Sequence, residues 1–131
     1  MAATLKQAQE QGIVSWDDVY AEEPNLWIFR DRYPVTPGHL LFVPKNNNND
    51  SIIDCFRAAQ RYGEWTVIRG DADAYNIGMN CGQAAGQTVM YPHVHMIPRR
   101  KNDCEDPVGG VRGVIPGQAN YKQSGYKNPD K

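Results

Sequence analysis

Two short apolar runs, separated by a turn rich in proline and glycine, constrain the fold more than any other feature of this chain. Leu26–Arg30 (LWIFR) is aromatic and apolar, and residues 39–44 (HLLFVP) are aliphatic and β-forming. Between them lies Arg32-Tyr33-Pro34-Val35-Thr36-Pro37-Gly38, whose two prolines and glycine end one strand and start the next. The pair reads as an antiparallel hairpin with a long loop, and Val19-Tyr20 marks a shorter strand ahead of it. A polar Asn46-Asn47-Asn48-Asn49 run follows, with Asp50 or Ser51 as the expected helix N-cap. Ile52, Cys55, Phe56, Ala59 and Tyr62 then recur at three- and four-residue steps. That spacing predicts an amphipathic helix over residues 51–67, stopping by Gly70, with Gly63 a weak point inside it. Residues 75–81 (YNIGMNC) and 88–98 (TVMYPHVHMIP) read as two further strands, joined by a glycine-flanked loop. The order strand, strand, helix, strand, strand implies an α+β fold with an antiparallel sheet.

The chain has 131 residues, 40% hydrophobic and 22% charged, which suits one compact domain with a real core. A core over about residues 19–100 and an extended, loop-like tail over 101–131 are expected, with Tyr121 and Tyr126 docking on something. The net charge of −1 argues against a strongly basic nucleic-acid binder, so no nucleic-acid partner is expected. The charge is uneven: residues 1–98 carry 7 basic and 11 acidic side chains, residues 99–131 carry 7 and 4. The basic end is either a solvated tail or a rim near an anionic ligand. The longest aliphatic or aromatic runs are four residues, too short to span a membrane, and the first twenty residues carry no secretory pattern. Cys55, Cys81 and Cys104 form no C-x-x-C, and reduced thiols in a cytoplasmic protein are the simplest reading.

The chemistry-bearing side chains concentrate in one place. His93 and His95 are two of only three histidines, and strand period puts Tyr91, His93, His95 and Ile97 on one face, about 7 Å apart. Such a pair suits a metal, a shared proton or attack on an electrophile, or is simply two surface histidines. A metal site built on H-x-H wants a carboxylate just downstream, where this chain has Arg99 and Arg100. Neutral imidazole is a good nucleophile, and its ordinary pKa of about 6.5 leaves it mostly neutral at pH 7.

The stretch Gly86-Gln87-Thr88-Val89-Met90-Tyr91-Pro92-His93-Val94-His95-Met96-Ile97-Pro98-Arg99 resembles the signature of the histidine triad (HIT) superfamily. Phe29-Arg30-Asp31, then Pro34, Pro37-Gly38-His39 and Leu41-x-Val43-Pro44-Lys45, resemble its first hairpin, and Asn80 also fits a family position. The likeness runs from about Val19 to Arg100. It implies a HIT-like fold with about five antiparallel strands, one main helix and a short N-terminal helix.

By that resemblance His93 is the nucleophile that attacks the α-phosphorus of a nucleotide and carries it covalently. His95 bonds the phosphate or the bridging, leaving-group side. Asp31 holds the ribose hydroxyls, Phe29 walls the base pocket, and Asn80 reaches the α-phosphate. Thr88, the Gln87 backbone and the Gly86 loop lie where phosphate oxygens are gripped; Gly82 and Gly86 equally suit ordinary turn geometry. Tyr91 stands where relatives carry the first triad histidine, and it either replaces that histidine's orienting hydrogen bond or is a packed aromatic. The ligands for the family's structural zinc are missing, so no metal is expected. His39 reads as a strand-start residue satisfied by backbone.

The implied activity is a nucleotide hydrolase acting on a purine nucleotide, either a dinucleoside polyphosphate or a nucleoside phosphoramidate. A homodimer is expected, with no cofactor beyond a divalent metal carried by the substrate. The alternatives are a nucleotidyltransferase of the same superfamily and a non-catalytic nucleotide-binding protein.

Overall fold

The computed structural model describes residues 2–131. Helix α1 (Leu5–Glu10) leads into strands β1 (Val19–Glu23), β2 (Leu26–Arg30) and β3 (Leu40–Pro44), then helix α2 (Asn49–Ile68) and strands β4 (Ala74–Gly78) and β5 (Val94–Arg99). The five strands form one antiparallel sheet in the order β1-β2-β3-β5-β4. The α+β architecture expected from the pattern is the one observed.

The strand β3 shows why its sequence is apolar at every position. All five residues are buried, because both faces of the sheet are covered. Leu40 and Phe42 point to the α2 side, where they join Leu26, Ile28, Val94, Met96 and the helix residues Cys55, Ala58 and Ala59. Leu41 and Val43 point to the other side, against Phe29, Tyr91 and the N-terminal Ala2, Leu5, Ala8 and Val14. The core therefore begins well before Val19. A strand buried on both sides loses the alternation that marks a half-exposed one.

Helix α2 starts two residues earlier than its apolar spacing suggests. Asn48, rather than Asp50 or Ser51, is the N-cap, and its side-chain oxygen accepts the Ser51 amide at 2.9 Å. Every asparagine in the preceding run is a competent cap by type, but Asn46 pairs with Thr4 and Asn47 bonds Ala2 and Ala3, which leaves Asn48 to the helix. Gly63, the expected weak point, is a point of close packing. A Cβ built there would lie 2.5–2.7 Å from three ring atoms of Tyr75 on β4.

The last strand is shorter than expected. β5 begins at Val94, and residues 88–93 lie outside the sheet. Pro92 in that segment has no N–H to give a ladder. β4 likewise ends at Gly78, and the connection contains a 3-10 turn at Gln83–Ala85.

The chain divides into two compact units, Met1–Arg99 and Arg100–Lys131. The second is not the extended tail expected from its composition. Within it Asp106 accepts hydrogen bonds from the Val108 amide and the Asn120 and Gln123 side chains. Arg112 donates to the carbonyls of Ala119 and Gln118. Its guanidinium lies 5.2 and 5.9 Å from the Tyr121 and Tyr126 rings, so both tyrosines meet a cation of their own unit. Polar and cation–π contacts order this segment, and such contacts leave no apolar periodicity to read.

Gly63→Ala tests the helix–sheet contact. Alanine gains up to about 1 kcal/mol in helix propensity, against about 1–3 kcal/mol for overpacking. A net loss of stability is expected in urea unfolding, and a gain would show that the Tyr75 ring moves aside freely.

Candidate active site

The site is built on the sheet face that α2 does not cover. Asp31 follows β2 and His39 precedes β3, and the Asp31 amide donates to the His39 carbonyl at 3.1 Å. Leu41 pairs with His95 across β3 and β5. These pairings draw His39, His95 and Asp31 together, with His93 beside His95 at 5.2 Å between ring centres. His39 and His93 are buried.

The hydrogen bonds assign the ring protons. Nδ1 of His93 lies 2.7 Å from the Tyr91 carbonyl oxygen. A carbonyl only accepts, so Nδ1 carries the hydrogen and Nε2 keeps its lone pair. His39 is arranged the other way. Its Nδ1 accepts the Val35 amide at 3.2 Å, so its Nε2 carries the hydrogen. That hydrogen is donated to Nδ1 of His95 at 2.9 Å, with Asp31 Oδ2 3.4 Å from Nε2 of His39. Since His95 accepts at Nδ1, its own hydrogen sits on Nε2. Two histidines two residues apart thus hold opposite tautomers, one with a lone pair at Nε2 and one with a hydrogen there.

Burial keeps all three rings neutral near pH 7. Desolvation lowers the pKa of His39 and of His93, each partly offset by the Asp31 charge and, for His93, by the Tyr91 carbonyl. His95 is lowered furthest, to about 4, by burial and then by its two histidine neighbours.

Tyr91 is fully buried, and its hydroxyl donates to the Pro44 carbonyl at 2.7 Å, with the Lys45 carbonyl at 3.4 Å. The side chain therefore ties the 88–93 segment to the end of β3, and His93 is oriented by the Tyr91 backbone instead. Lys45 O also receives the Leu5 amide, so α1, the end of β3 and the 88–93 segment meet at one point.

In the loop before the histidines, Gln87 is engaged in closing the loop itself. The Gln87 amide donates to the Gly82 carbonyl, while its side chain accepts the Gly82 amide and donates to the Val89 carbonyl. Gln87 closes the loop, and its backbone N–H is already used there. Gly82 and Gly86 both adopt left-handed φ, 95° and 94°, with nothing near a built Cβ. Conformation, not crowding, selects glycine at both. Thr88 is exposed, and neither it nor Asn80 hydrogen-bonds to the other described residues. Gly78 pairs with His95 at the end of β4, so Asn80 lies two residues past that pair and His93 two residues before it.

Two residues of the site escaped the sequence reading. His39 does have the backbone partner expected of it, yet its other nitrogen is the link to His95. Trp16, in the segment between α1 and β1, has its ring centre 4.8 Å from that of His93 and 6.2 Å from that of Phe29. The proline-glycine turn before His39 was visible, but nothing local in Trp16 announces its neighbour. Asp31, His39 and His95 also offer one ligand atom each within 4.8 Å of one another. The hydrogen bonds already commit these atoms to one another, and a metal on Nε2 of His39 requires its proton to leave.

A five-stranded antiparallel sheet carrying paired, oppositely protonated histidines beside an acidic residue defines a small α+β protein with a buried histidine cluster on one sheet face. The HIT domain pattern matches residues 14–102, and the chain belongs to the HIT family. It is 30% identical over 107 residues to a HIT-like protein of Chlamydia pneumoniae, covering 76% of this chain and 91% of that one. It is 36% identical over 80 residues to a bis(5'-nucleosyl)-tetraphosphatase (asymmetrical) of Schizosaccharomyces pombe, covering 56% of this chain but only 44% of that protein. Among solved structures, a zinc-bound histidine triad family protein from Mycobacterium smegmatis superposes with a TM-score of 0.63 at 30% identity, covering 76% and 77% of the two chains.

Two outcomes follow from this geometry. Unfolded histidine takes its proton near pH 6.5, whereas folded His95 resists until about pH 4. The unfolded state therefore binds more protons between those values, and stability falls as pH drops through that window. Urea midpoints should show the loss, and His95→Gln should flatten it; an unchanged slope counts against the buried neutral ring. Tyr91→Phe should cost about 1–3 kcal/mol by orphaning a buried carbonyl. If the phenol mattered only as packing volume, the melting temperature would not move.

Proposed function

We propose that this protein hydrolyses dinucleoside polyphosphates through a covalent nucleotidyl-His93, with a purine nucleotide as the group transferred. The observation that carries the reading is the opposite tautomers of His93 and His95, with Asp31 alongside. The lone pair on Nε2 of His93 attacks the α-phosphorus, and the bond from phosphorus to the bridging oxygen breaks with its electron pair on the departing polyphosphate. The N–H of His95 Nε2 hydrogen-bonds that oxygen as charge develops on it. Water then displaces His93 from phosphorus, adding its oxygen to the mononucleotide, losing one proton to solvent and restoring neutral imidazole. Asp31, an acceptor, suits the ribose diol, Phe29 the base, and Asn80 and Thr88 the phosphate oxygens.

The protonation state favours one leaving group over another. A polyphosphate departs as a stable anion and needs only a hydrogen bond. An amine departing from a phosphoramidate needs a proton, and a neutral His95 is a poor acid. The Schizosaccharomyces pombe relative, by its name a bis(5'-nucleosyl)-tetraphosphatase, supports the same substrate class. Phosphoramidase activity is the second reading, as a slower reaction of the same site.

The reading includes a cytoplasmic homodimer. β1 and β4 are both sheet edges, and Trp65 and Ile68 on α2 are exposed, which gives pairing a physical motive. Among the described residues no helix is long and apolar enough to cross a membrane.

His93→Ala should bind mononucleotide normally but lose several orders of magnitude in turnover, whereas His95→Ala should lose about 100-fold or somewhat more. A quenched wild-type reaction should carry one nucleotide on His93, seen by mass spectrometry at alkaline pH. Label on His95, or a fast His93→Ala enzyme, overturns the mechanism.

A further inference from the structure

The ring of His93 is held from three directions. Its Nδ1–H is bonded to the Tyr91 carbonyl, the His95 ring centre lies 5.2 Å away, and the Trp16 ring centre lies 4.8 Å away with the planes 60° apart. The first two contacts have a role in the mechanism above, and Trp16 has none yet. Trp16 lies outside every helix and strand, is half-buried, and packs against the N-terminal apolar cluster with its ring beside both Phe29 and His93.

Attack changes the charge of His93. When Nε2 bonds to phosphorus while Nδ1 keeps its hydrogen, the ring becomes a cation, and its positive charge must be accommodated inside a largely dry site. Among the described residues the titratable groups that act on His93 are the Asp31 carboxylate and neutral His95. Asp31 is the same group proposed to bind the ribose, so part of its charge is engaged by substrate hydroxyls during the reaction. The Tyr91 carbonyl accepts one hydrogen bond and offers no net charge. An indole is the aromatic ring most favourable to a cation, and the attraction acts over its face within about 6 Å of its centre.

We propose that Trp16 is a positioning residue for the nucleophile, whose indole π system stabilises the positively charged His93 ring formed when the nucleotide is transferred to it. This rests on the hydrolase reading for its purpose, although the pairing of Trp16 with a cationic His93 is a property of the free protein. No co-reactant is required. The only bonds made and broken are those of the transfer itself, and the indole acts through its quadrupole without exchanging a proton.

The decisive measurement uses the nucleotide-free protein. Protonating His93 places a positive charge on the same ring, so its titration, followed by NMR of the imidazole carbon-bound protons, reads the interaction directly. Replacing the indole with an aliphatic side chain of good packing volume, Trp16→Leu, should lower the His93 pKa by about half a unit or more, and Trp16→Phe should restore most of it. A tryptophan that merely kept water away from His93 gives the opposite sign, because its loss hydrates the ring and lets the pKa rise toward 6.5. A rise, or no change, overturns the proposal. Fluorinated tryptophan incorporated into the wild-type chain weakens the π system without altering the packing. It should shift His93 the same way as Leu, which keeps the question answerable if Trp16→Leu does not fold.

Kinetics provide the second arm. With a dinucleoside polyphosphate, Trp16→Leu should lower the single-turnover rate of nucleotidylation about threefold to tenfold, with Phe intermediate and KM nearly unchanged. A rise in KM at constant kcat would assign Trp16 to substrate binding instead. Wild-type protein that forms no nucleotidyl-His93 would refute the hydrolase reading, while the titration would still decide whether Trp16 stabilises the cation.

Discussion

The double-sided burial of β3 is the constraint on which the site depends. Leu40 and Phe42 fasten this strand to α2, while Leu41 and Val43 fasten it to the N-terminal segment. With both faces committed, β3 cannot slip by one residue without exchanging its two apolar faces. Its ends are thereby held as well. The start of the strand presents His39 to His95, and the Pro44 carbonyl at its end takes the Tyr91 hydroxyl. One end of this strand thus holds His95 directly, through His39, and the other holds the residue whose carbonyl orients His93.

The histidine network can be understood as a direction of hydrogen bonding. One chain runs from the Val35 amide through His39 to His95 and leaves a donor facing outward. A separate bond runs from His93 to the Tyr91 carbonyl and leaves a lone pair. Backbone groups, one amide and one carbonyl, set both directions, and backbone groups do not titrate. The arrangement therefore holds as long as the rings stay neutral, and burial extends that range well below the ordinary histidine pKa. The carbonyl that fixes the His93 ring belongs to the main chain of residue 91, whatever side chain that residue bears.

Trp16 and the segment around it illustrate a different kind of dependence. The N-terminal residues contribute to the core beneath the site through Leu5, Ala8 and Val14, and the Lys45 carbonyl receives both the Leu5 amide and a longer contact from Tyr91. Packing of the N-terminal residues is thus coupled to the placement of the 88–93 segment. Gly63 does the same for the opposite face, letting α2 approach β4 closely enough to bury a tyrosine ring against the helix backbone.

The amino-acid sequence by itself determined the order of elements, the hairpin over 26–44, the amphipathic helix and the family signature around His93 and His95. Each of these depends on neighbours within a few residues, through apolar period, turn chemistry or fixed spacing. The sequence also pointed to Asp31, Phe29 and Asn80, because their positions are tied to the hairpin and loop of the same signature. Only the tertiary structure decided that His39 joins the site, that the Tyr91 hydroxyl turns to Pro44, that Gln87 spends its amides on its own loop, and that Trp16 meets His93. It also decided that residues 100–131 form a compact unit around Arg112 and Asp106. These are contacts between groups far apart in sequence or satisfied by main-chain atoms, and neither leaves a periodic trace. A backbone carbonyl is present at every position, so no sequence pattern can say which one a buried imidazole will find.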